Sequence, residues 1–309
     1  MEPIYDLIII GGGPAGAAAG VYAARKRLKT LICAETFAGQ SAVSPDIQNW
    51  VGAITISGEE LASSLRKHVE AYADDILSIH DEIVQKVEPQ EEGFIVTTNK
   101  ASYSTRTVLV ATGSHRRKLV ATGADKFEHK GLTYCASCDG PMFAGQDLAV
   151  VGGGNAAFET AAQLLAYAKS VTLIHRSPDF DRADPITVEK VLTHTNMRSV
   201  RNVEITEVKG DVFANAIVYR EKVTNEVTEL PVGGIFIEIG QIPNTAFLEG
   251  VTELTERGQV VIDPWTQQTR TKGVWAAGDC TNILYHQNNI AAGDAVRALE
   301  DIYKTLHTQ

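Results

Sequence analysis

Two cysteines three positions apart are the first residues in this chain whose types and spacing could do chemistry. Cys135-Ala136-Ser137-Cys138 is followed at once by Asp139-Gly140-Pro141. A C-x-x-C pair at the start of a helix has a depressed thiol pKa, because the N–H groups of the first turn favour the thiolate. Such a thiolate attacks a disulfide, and the second cysteine resolves the mixed disulfide. Asp139, beside the pair, is placed to exchange a proton with a leaving thiolate. The alternative use of a C-x-x-C is structural zinc, which takes four ligands. Cys33 falls inside an apolar, strand-like run and Cys280 follows Gly278-Asp279, so no second C-x-x-C completes a set and no metal is expected. Four cysteines in 309 residues make no disulfide framework either.

Two glycine-rich turns come next. Gly11-x-Gly13-x-x-Gly16, with Ala15 inside it, follows an apolar run that begins at Asp6. Gly152-x-Gly154-x-x-Ala157, with Asn155 and Ala156 inside it, follows one that begins at Asp147. The two segments repeat in register at a constant offset of 141 residues, from Asp6 to Asp147. Each reads as strand, turn, helix and strand, which is the context a dinucleotide fingerprint requires. The glycines let the backbone approach a pyrophosphate, and the helix N-terminus offers that anion free N–H groups. The copies differ where the second strand ends. In the first it is Glu35, a carboxylate suited to ribose hydroxyls; in the second it is His175-Arg176, and an arginine there suits a 2′-phosphate. The first copy therefore fits FAD or NAD, and the second leans toward NADP.

These turns need strands and helices to hold them, and the composition allows for that. Apolar residues make up 44% and charged residues 21%, which is ordinary for a globular chain, and the length predicts two domains. The net charge of −10 is the wrong sign for a nucleic-acid binder. No apolar run is long enough to span a membrane. The opening MEPIYDLIII carries Glu2 and Asp6 and no basic stretch, so it is not expected to be a secretory signal, and a cytoplasmic setting is expected. Helices are predicted from Ser57-Gly58 to Tyr72, over Pro185–Thr193 and over Asn289–Leu306. Strands are predicted at Ile83–Val87, Phe94–Thr98, Thr107–Val110, Glu204–Lys209, Ala216–Arg220, Ile235–Ile239, Val260–Ile262 and Gly273–Trp275. With no Pro/Ser linker, the boundaries are expected near Ser114–Leu119 and Ile242–Thr245.

Taken in order, GGGPAG, YCASCDG, VVGGGNAAFETA, LIHR and WAAGDC resemble the low-molecular-weight thioredoxin reductase family over essentially the whole chain. The resemblance implies an α/β fold of two dinucleotide-binding (Rossmann-like) domains, the second inserted into the first. Residues 1–115 and 244–309 would form the FAD domain, and residues 116–243 the nicotinamide-type domain with the dithiol. By motif, Gly11, Gly13, Ala15 and Gly16 would hold the FAD pyrophosphate and Glu35 the adenosine ribose. Gly39-Gln40, Asn49 and Gln287 would face the flavin. Ala111-Thr112-Gly113 matches the ATG segment, and Gly278-Asp279 the segment whose carboxylate binds the ribityl chain. Cys135, Cys138 and Asp139 match the redox segment, with Cys138 implied as the thiol nearer the flavin. The resemblance also implies a thioredoxin-like protein disulfide as partner and a homodimer.

The chain departs from the family where the donor would bind. The family's HRR is His175-Arg176-Ser177 here, its FR is Phe180-Asp181 with Arg182 one place later, and its RQ is His286-Gln287. Asp179, Asp181 and Asp184 are expected to repel a phosphate dianion. Relatives without the nicotinamide signature take electrons from ferredoxin or from a second flavin. At this level NADPH, NADH, ferredoxin and a second flavin all stay open as donors. His115-Arg116-Arg117-Lys118 is a basic run that reads as a solvated linker or as a docking patch for an acidic partner. The rival activities are a dithiol oxidase passing electrons to oxygen, a ferredoxin–NADP reductase, for which the dithiol has no use, and a non-catalytic dinucleotide-binding module.

Overall fold

The computed structural model describes residues 5–37, 39–44 and 46–308; Glu2 lies outside them. The chain opens with β1 (Tyr5–Gly12), α1 (Pro14–Arg25) and β2 (Thr30–Phe37). β1 is almost continuously apolar because both of its faces are covered. Leu7 and Ile9 enter one core while Ile8 and Ile10 enter the other. Each such side chain contributes about 1.5–3 kcal/mol by leaving water. α2 (Gly58–Glu70) starts where the sequence predicts, at Ser57. The Ser57 hydroxyl accepts the N–H of Glu60, and the Glu60 carboxylate accepts the N–H of Ser57. Ser57→Ala should therefore lower stability by about 1 kcal/mol, seen as a lower urea midpoint with an unchanged slope. β3 (Leu77–His80), β4 (Val84–Pro89), β5 (Phe94–Thr98), β6 (Ser102–Val110) and β7 (Ser114–Arg116) follow.

The chain divides into two compact units, one holding the residues up to His115 and those from Ile242 onward, the other Arg116–Gln241. The second unit contains β8 (Leu132–Thr133), α3 (Ala136–Asp139), β9 (Asp147–Gly152), α4 (Asn155–Leu165), β10 (Ser170–Ile174), α5 (Pro185–Leu192) and β11 (Met197–Val200). β12 (Val203–Gly210), β13 (Ala214–Glu221), β14 (Val227–Pro231) and β15 (Gly234–Glu238) complete it. Its parallel sheet has the order β11-β10-β9-β15-β8, and β12-β13-β14 form a separate antiparallel sheet. β9 again splits its faces. Leu148 and Val150 pack under α4 with Phe158 and Leu164, and Ala149 and Val151 join Ile217 and Val208 on the far side.

β16 (Gln241–Pro243) pairs with β7, so the two chain crossings form a short ribbon. β17 (Val274–Ala276) and α6 (Asn288–His307) then return to the first unit. Its sheet has the order β3-β2-β1-β6-β5-β4, with β17 parallel to the end of β6. α6 buries Ala291, Ala295 and Ala298 in the same core as Ala15, Ala19 and Ala23 of α1. Facing alanines let helices approach closely. Trp275, fully buried, donates its indole N–H to Asp301 at 3.0 Å. The stretch Val260–Ile262, expected as a strand, makes only isolated bridges, to Leu254, Thr281 and Thr269. Pro264 follows too soon for a ladder to extend. Strand order reverses between β1 and β6 in one unit and between β9 and β15 in the other. Ligands of such sheets bind beyond the carboxyl ends of the strands at that point.

Candidate active site

The first glycine turn sits at the β1/β6 reversal. Gly11 has φ +112°, and a Cβ there would run into the carbonyl of Ala111 at the end of β6. A Cβ on Gly16 would run into the carbonyl of Gly11. These two glycines close the turn. Gly13 is different: a Cβ there would meet nothing within 4 Å. It caps α1 without a side chain, and Pro14 brings no N–H. The backbone N–H groups of Ala15 and Gly16 belong to the first turn of α1, whose donors have no intrahelical acceptor, as an anion site requires.

The remaining positions of this unit gather by strand ends and hydrogen bonds. Glu35 is exposed near the end of β2, and Asp279 is half-buried just after Gly278. Neither carboxylate has a hydrogen bond or ion pair among the described residues. Gly278, at φ +77°, lies against Ala291 and Ala15, which brings the Asp279 turn to the start of α6 and the fingerprint. Thr112 is bracketed by Asn244: its hydroxyl donates to the Asn244 carbonyl at 2.8 Å, and the Asn244 amide donates to the Thr112 carbonyl at 3.0 Å. Gly113, at φ +63°, has open space where a Cβ would be. Gly39 and Gln40 open a single 3-10 turn, and Gln40 donates to the Ser114 hydroxyl at 3.4 Å. Asn49 donates to the Gln287 side chain at 3.2 Å, and Asn289 donates to the Asn49 carbonyl at 2.7 Å. Asn244 and Asn289 were not expected as site residues; Asn289 has one sequence signal, an amide two places after Gln287, and Asn244 has none.

The second glycine turn sits at the β9/β15 reversal. Gly152 is crowded by the Glu238 carbonyl and by Ala157. A Cβ on Gly153 would run into the His175 ring. His175 lies against Phe180 at 5.3 Å between centroids, and Phe180 meets Phe158 edge-on at 4.9 Å. Burial lowers the His175 pKa and so favours the neutral ring, against a hydrogen bond with Asp179 and the charge of Asp181. Gly154 caps α4 and bridges to Arg182, and the exposed Asn155 accepts the N–H of Asp184 at 2.7 Å. Ala156 is exposed beside it. Arg176 and Arg182 are exposed, and neither has an ion pair among the described residues. The three acids expected to oppose a phosphate are not equivalent. Asp179 lies 3.7 Å from Arg201, and Asp184 caps α5 by accepting the Thr187 N–H and hydroxyl, both at 2.8 Å. Among the described residues, Asp181 alone of the three has neither an ion pair nor a hydrogen bond.

Cys135 and Cys138 form a disulfide, with Cα atoms 5.3 Å apart. Cys135 is half-buried and Cys138 is exposed. Cys135 caps α3, and the Cys138 N–H donates to its sulfur at 3.1 Å. α3 is a single turn, so the group that favours a thiolate here is that one N–H rather than the field of a long helix. Asp139 ends the turn, and its Oδ2 accepts the Thr133 hydroxyl. Burial raises the Asp139 pKa, while the Thr133 hydrogen bond and the charge of His129 act against that rise. Cys33 and Cys280 are both buried, their thiols pushed up to about 12 and about 11 by loss of solvent. No cluster able to hold a metal occurs among the described residues. The basic run is largely engaged. His115 bonds Asn244 at 2.8 Å, Arg116 faces Glu238 at 3.8 Å and Lys118 pairs with Glu128 at 2.7 Å, which leaves Arg117 to solvent. No helix of the described residues is long and apolar enough to cross a membrane.

The family described as pyridine nucleotide-disulphide oxidoreductase matches residues 5–297. The chain is 39% identical to a component of the alkyl hydroperoxide reductase of Escherichia coli over 299 residues, 95% of this chain and 57% of that protein. It is 35% identical to an NADH dehydrogenase of Bacillus subtilis over 297 residues, 96% of this chain and 57% of that one. The chain thus spans little more than half the length of the curated relatives it matches. Among solved structures, a thioredoxin reductase from Streptococcus pyogenes superposes with a TM-score of 0.91 at 33% identity, covering 100% of both chains.

Proposed function

The chain belongs to the pyridine nucleotide-disulphide oxidoreductase family, and on that premise we propose that it is an FAD-dependent thiol–disulfide oxidoreductase of thioredoxin reductase type. The observation that carries this reading is the Cys135–Cys138 disulfide with Asp139 at its side, held in a unit that has its own dinucleotide turn. The first turn fits FAD. The N–H groups of Ala15 and Gly16 beside Gly13 would hold its pyrophosphate, Glu35 its ribose and Asp279 its ribityl hydroxyls. Gln40, Asn49, Thr112 and Gln287 would hold the flavin end. Bound there, FAD supplies the two-electron relay between a nicotinamide and a disulfide. The protein's own part is to offer the pair to a protein disulfide of thioredoxin-like type and to move protons through Asp139.

The proposed donor is NADPH. Arg176 takes the position that Glu35 holds in the first copy, and neither Arg176 nor Arg182 is ion-paired among the described residues. Arginine there suits a 2′-phosphate. Anaerobic titration of the yellow protein tests this. NADPH should bleach the flavin band, and Arg176→Ala should weaken NADPH by roughly 10–100-fold, the worth of a hydrogen bond to a charged group, with NADH unchanged. Bleaching by reduced ferredoxin alone would overturn the nicotinamide donor and leave ferredoxin or a second flavin. Peroxide produced from a dithiol would mark a dithiol oxidase instead. A homodimer is part of the same reading. It is supported by exposed Val51, Ile54, Leu284 and Tyr285, on segments joined through Asn49 and Gln287. A cytoplasmic setting, where a reducing donor is at hand, completes it.

A further inference from the structure

We propose that Thr133 is a positioning residue for Asp139, fixing Oδ2 with its hydroxyl so that Oδ1 is the oxygen that trades a proton with the dithiol. The proposal rests on the oxidoreductase reading above. Thr133 is the second residue of β8 and pairs with Phe236 of β15. It is buried, and a β-branched side chain in a strand has little rotamer freedom. Its hydroxyl therefore comes from the rigid sheet, whereas Asp139 sits on a one-turn helix that must tolerate the opening and closing of the disulfide. Among the described residues the Asp139 carboxylate has no other hydrogen bond, and Oδ1 has none. Donor and acceptor lie six positions apart with both cysteines between them, so the contact ties the catalytic turn back to the sheet.

The chemistry needs such a tether. In the exchange, a bond forms between one enzyme sulfur and one partner sulfur as the partner disulfide breaks. The Cys135–Cys138 bond then forms as that mixed bond breaks. Two thiol protons leave the enzyme and end on the two partner sulfurs. A carboxyl that carries a proton between them must be ionised to accept it and protonated to give it, so its affinity has to be tuned. Thr133 donates to the carboxylate and so favours the ionised form, against burial, which favours the neutral one. Around Asp139, His129 acts in the same sense as Thr133. Tyr134 gives its hydroxyl to Glu128, which also pairs with Lys118, and the Tyr167 hydroxyl stands against Gly140.

The test uses the holoprotein, its pair reduced anaerobically with stoichiometric dithionite and mixed with dithiobis(nitrobenzoate) across a pH series. The limb of the rate profile that is missing in Asp139→Asn belongs to Asp139. Thr133→Val keeps the shape and removes the donor, and should move that limb upward by about one pH unit. Thr133→Ser should restore it, and Thr133→Val should add no shift in the Asp139→Asn background. An unmoved limb in a folded, yellow Thr133→Val protein would overturn the proposal. So would identical wild-type and Asp139→Asn profiles, or a shift that persists without Asp139. A wild-type protein whose reduced pair releases no thionitrobenzoate would overturn the oxidoreductase reading itself, and this proposal with it.

Discussion

Cys135→Ser and Cys138→Ser will each bring disulfide reduction down to the uncatalysed level while the protein stays yellow. A serine hydroxyl is neither ionised near neutral pH nor able to close a sulfur–sulfur bond, so the relay loses a covalent step rather than an increment of binding. Nothing in the first unit depends on either sulfur: the groups that fit FAD lie on β1, α1, β2, β6, β17 and α6 and on the loops that follow them. The flavin should therefore still bleach with the donor, and the electrons should stop there. The variant that keeps the attacking thiol should trap its partner as a mixed disulfide, visible by mass, which also reports which cysteine attacks. Normal turnover in either variant would remove the pair from the path.

The glycines of the first turn should separate into two classes with opposite signatures. Gly16 is helical, and alanine there would by itself gain about 1 kcal/mol of helix propensity. The gain cannot be realised, because the new Cβ would occupy the position of the Gly11 carbonyl, a backbone atom that has nowhere to go. Gly11→Ala adds left-handed backbone strain to a clash with Ala111. Both should lose about 3 kcal/mol or more, at the upper end of overpacking costs, and purify colourless or not at all. Gly13→Ala meets no atom of the protein. Its melting temperature without cofactor should stay near wild type, while FAD affinity falls roughly 10–100-fold, since the methyl group fills the cradle that the pyrophosphate would use. Melting curves with and without added FAD, alongside the visible spectrum, check both. A yellow, fully stable Gly16→Ala protein would refute this account of the turn.

The two strand–turn–helix–strand units were legible because three periodic signals agree in each: apolar strands, glycines at fixed offsets, and small residues on the following helix. β1–α1–β2 and β9–α4–β10 are found where the repeat predicts, and the cap at Ser57 and the long C-terminal helix also declared themselves. What escaped notice was short or held by distant partners. β3 and β11 have four residues each, too few for a period, and form only because a neighbouring parallel strand offers its edge. β14 is a half-exposed edge strand ending in Pro231. The expected strand at Val260–Ile262 has the right residue types and lacks a partner to extend along. In the site, glycine and acid positions could be read from spacing, but whether each acid is free could not. Asp179 and Asp184 look identical to Asp181 in the sequence and differ only in having Arg201 and Thr187 beside them. Thr133 bonds Asp139 through the geometry of a strand end, which no spacing rule encodes.

The first unit is assembled from two stretches that leave the ribosome far apart in time. β1, α1 and β6 emerge early, but β17, which lies along the end of β6, and α6, which covers the alanine face of α1, come only after the entire Arg116–Gln241 unit. At elongation rates of about 5–20 residues per second that delay is on the order of ten seconds. During it the nascent N-terminal segment carries an open sheet edge and an uncovered apolar helix, the kind of surface chaperones hold. The inserted unit has no such wait, since all its strands and its own core are contiguous in sequence. The redox turn can therefore be folded and exposed to oxidants on a chain that cannot yet take up a flavin, and cofactor loading becomes a step that waits for β17 and α6.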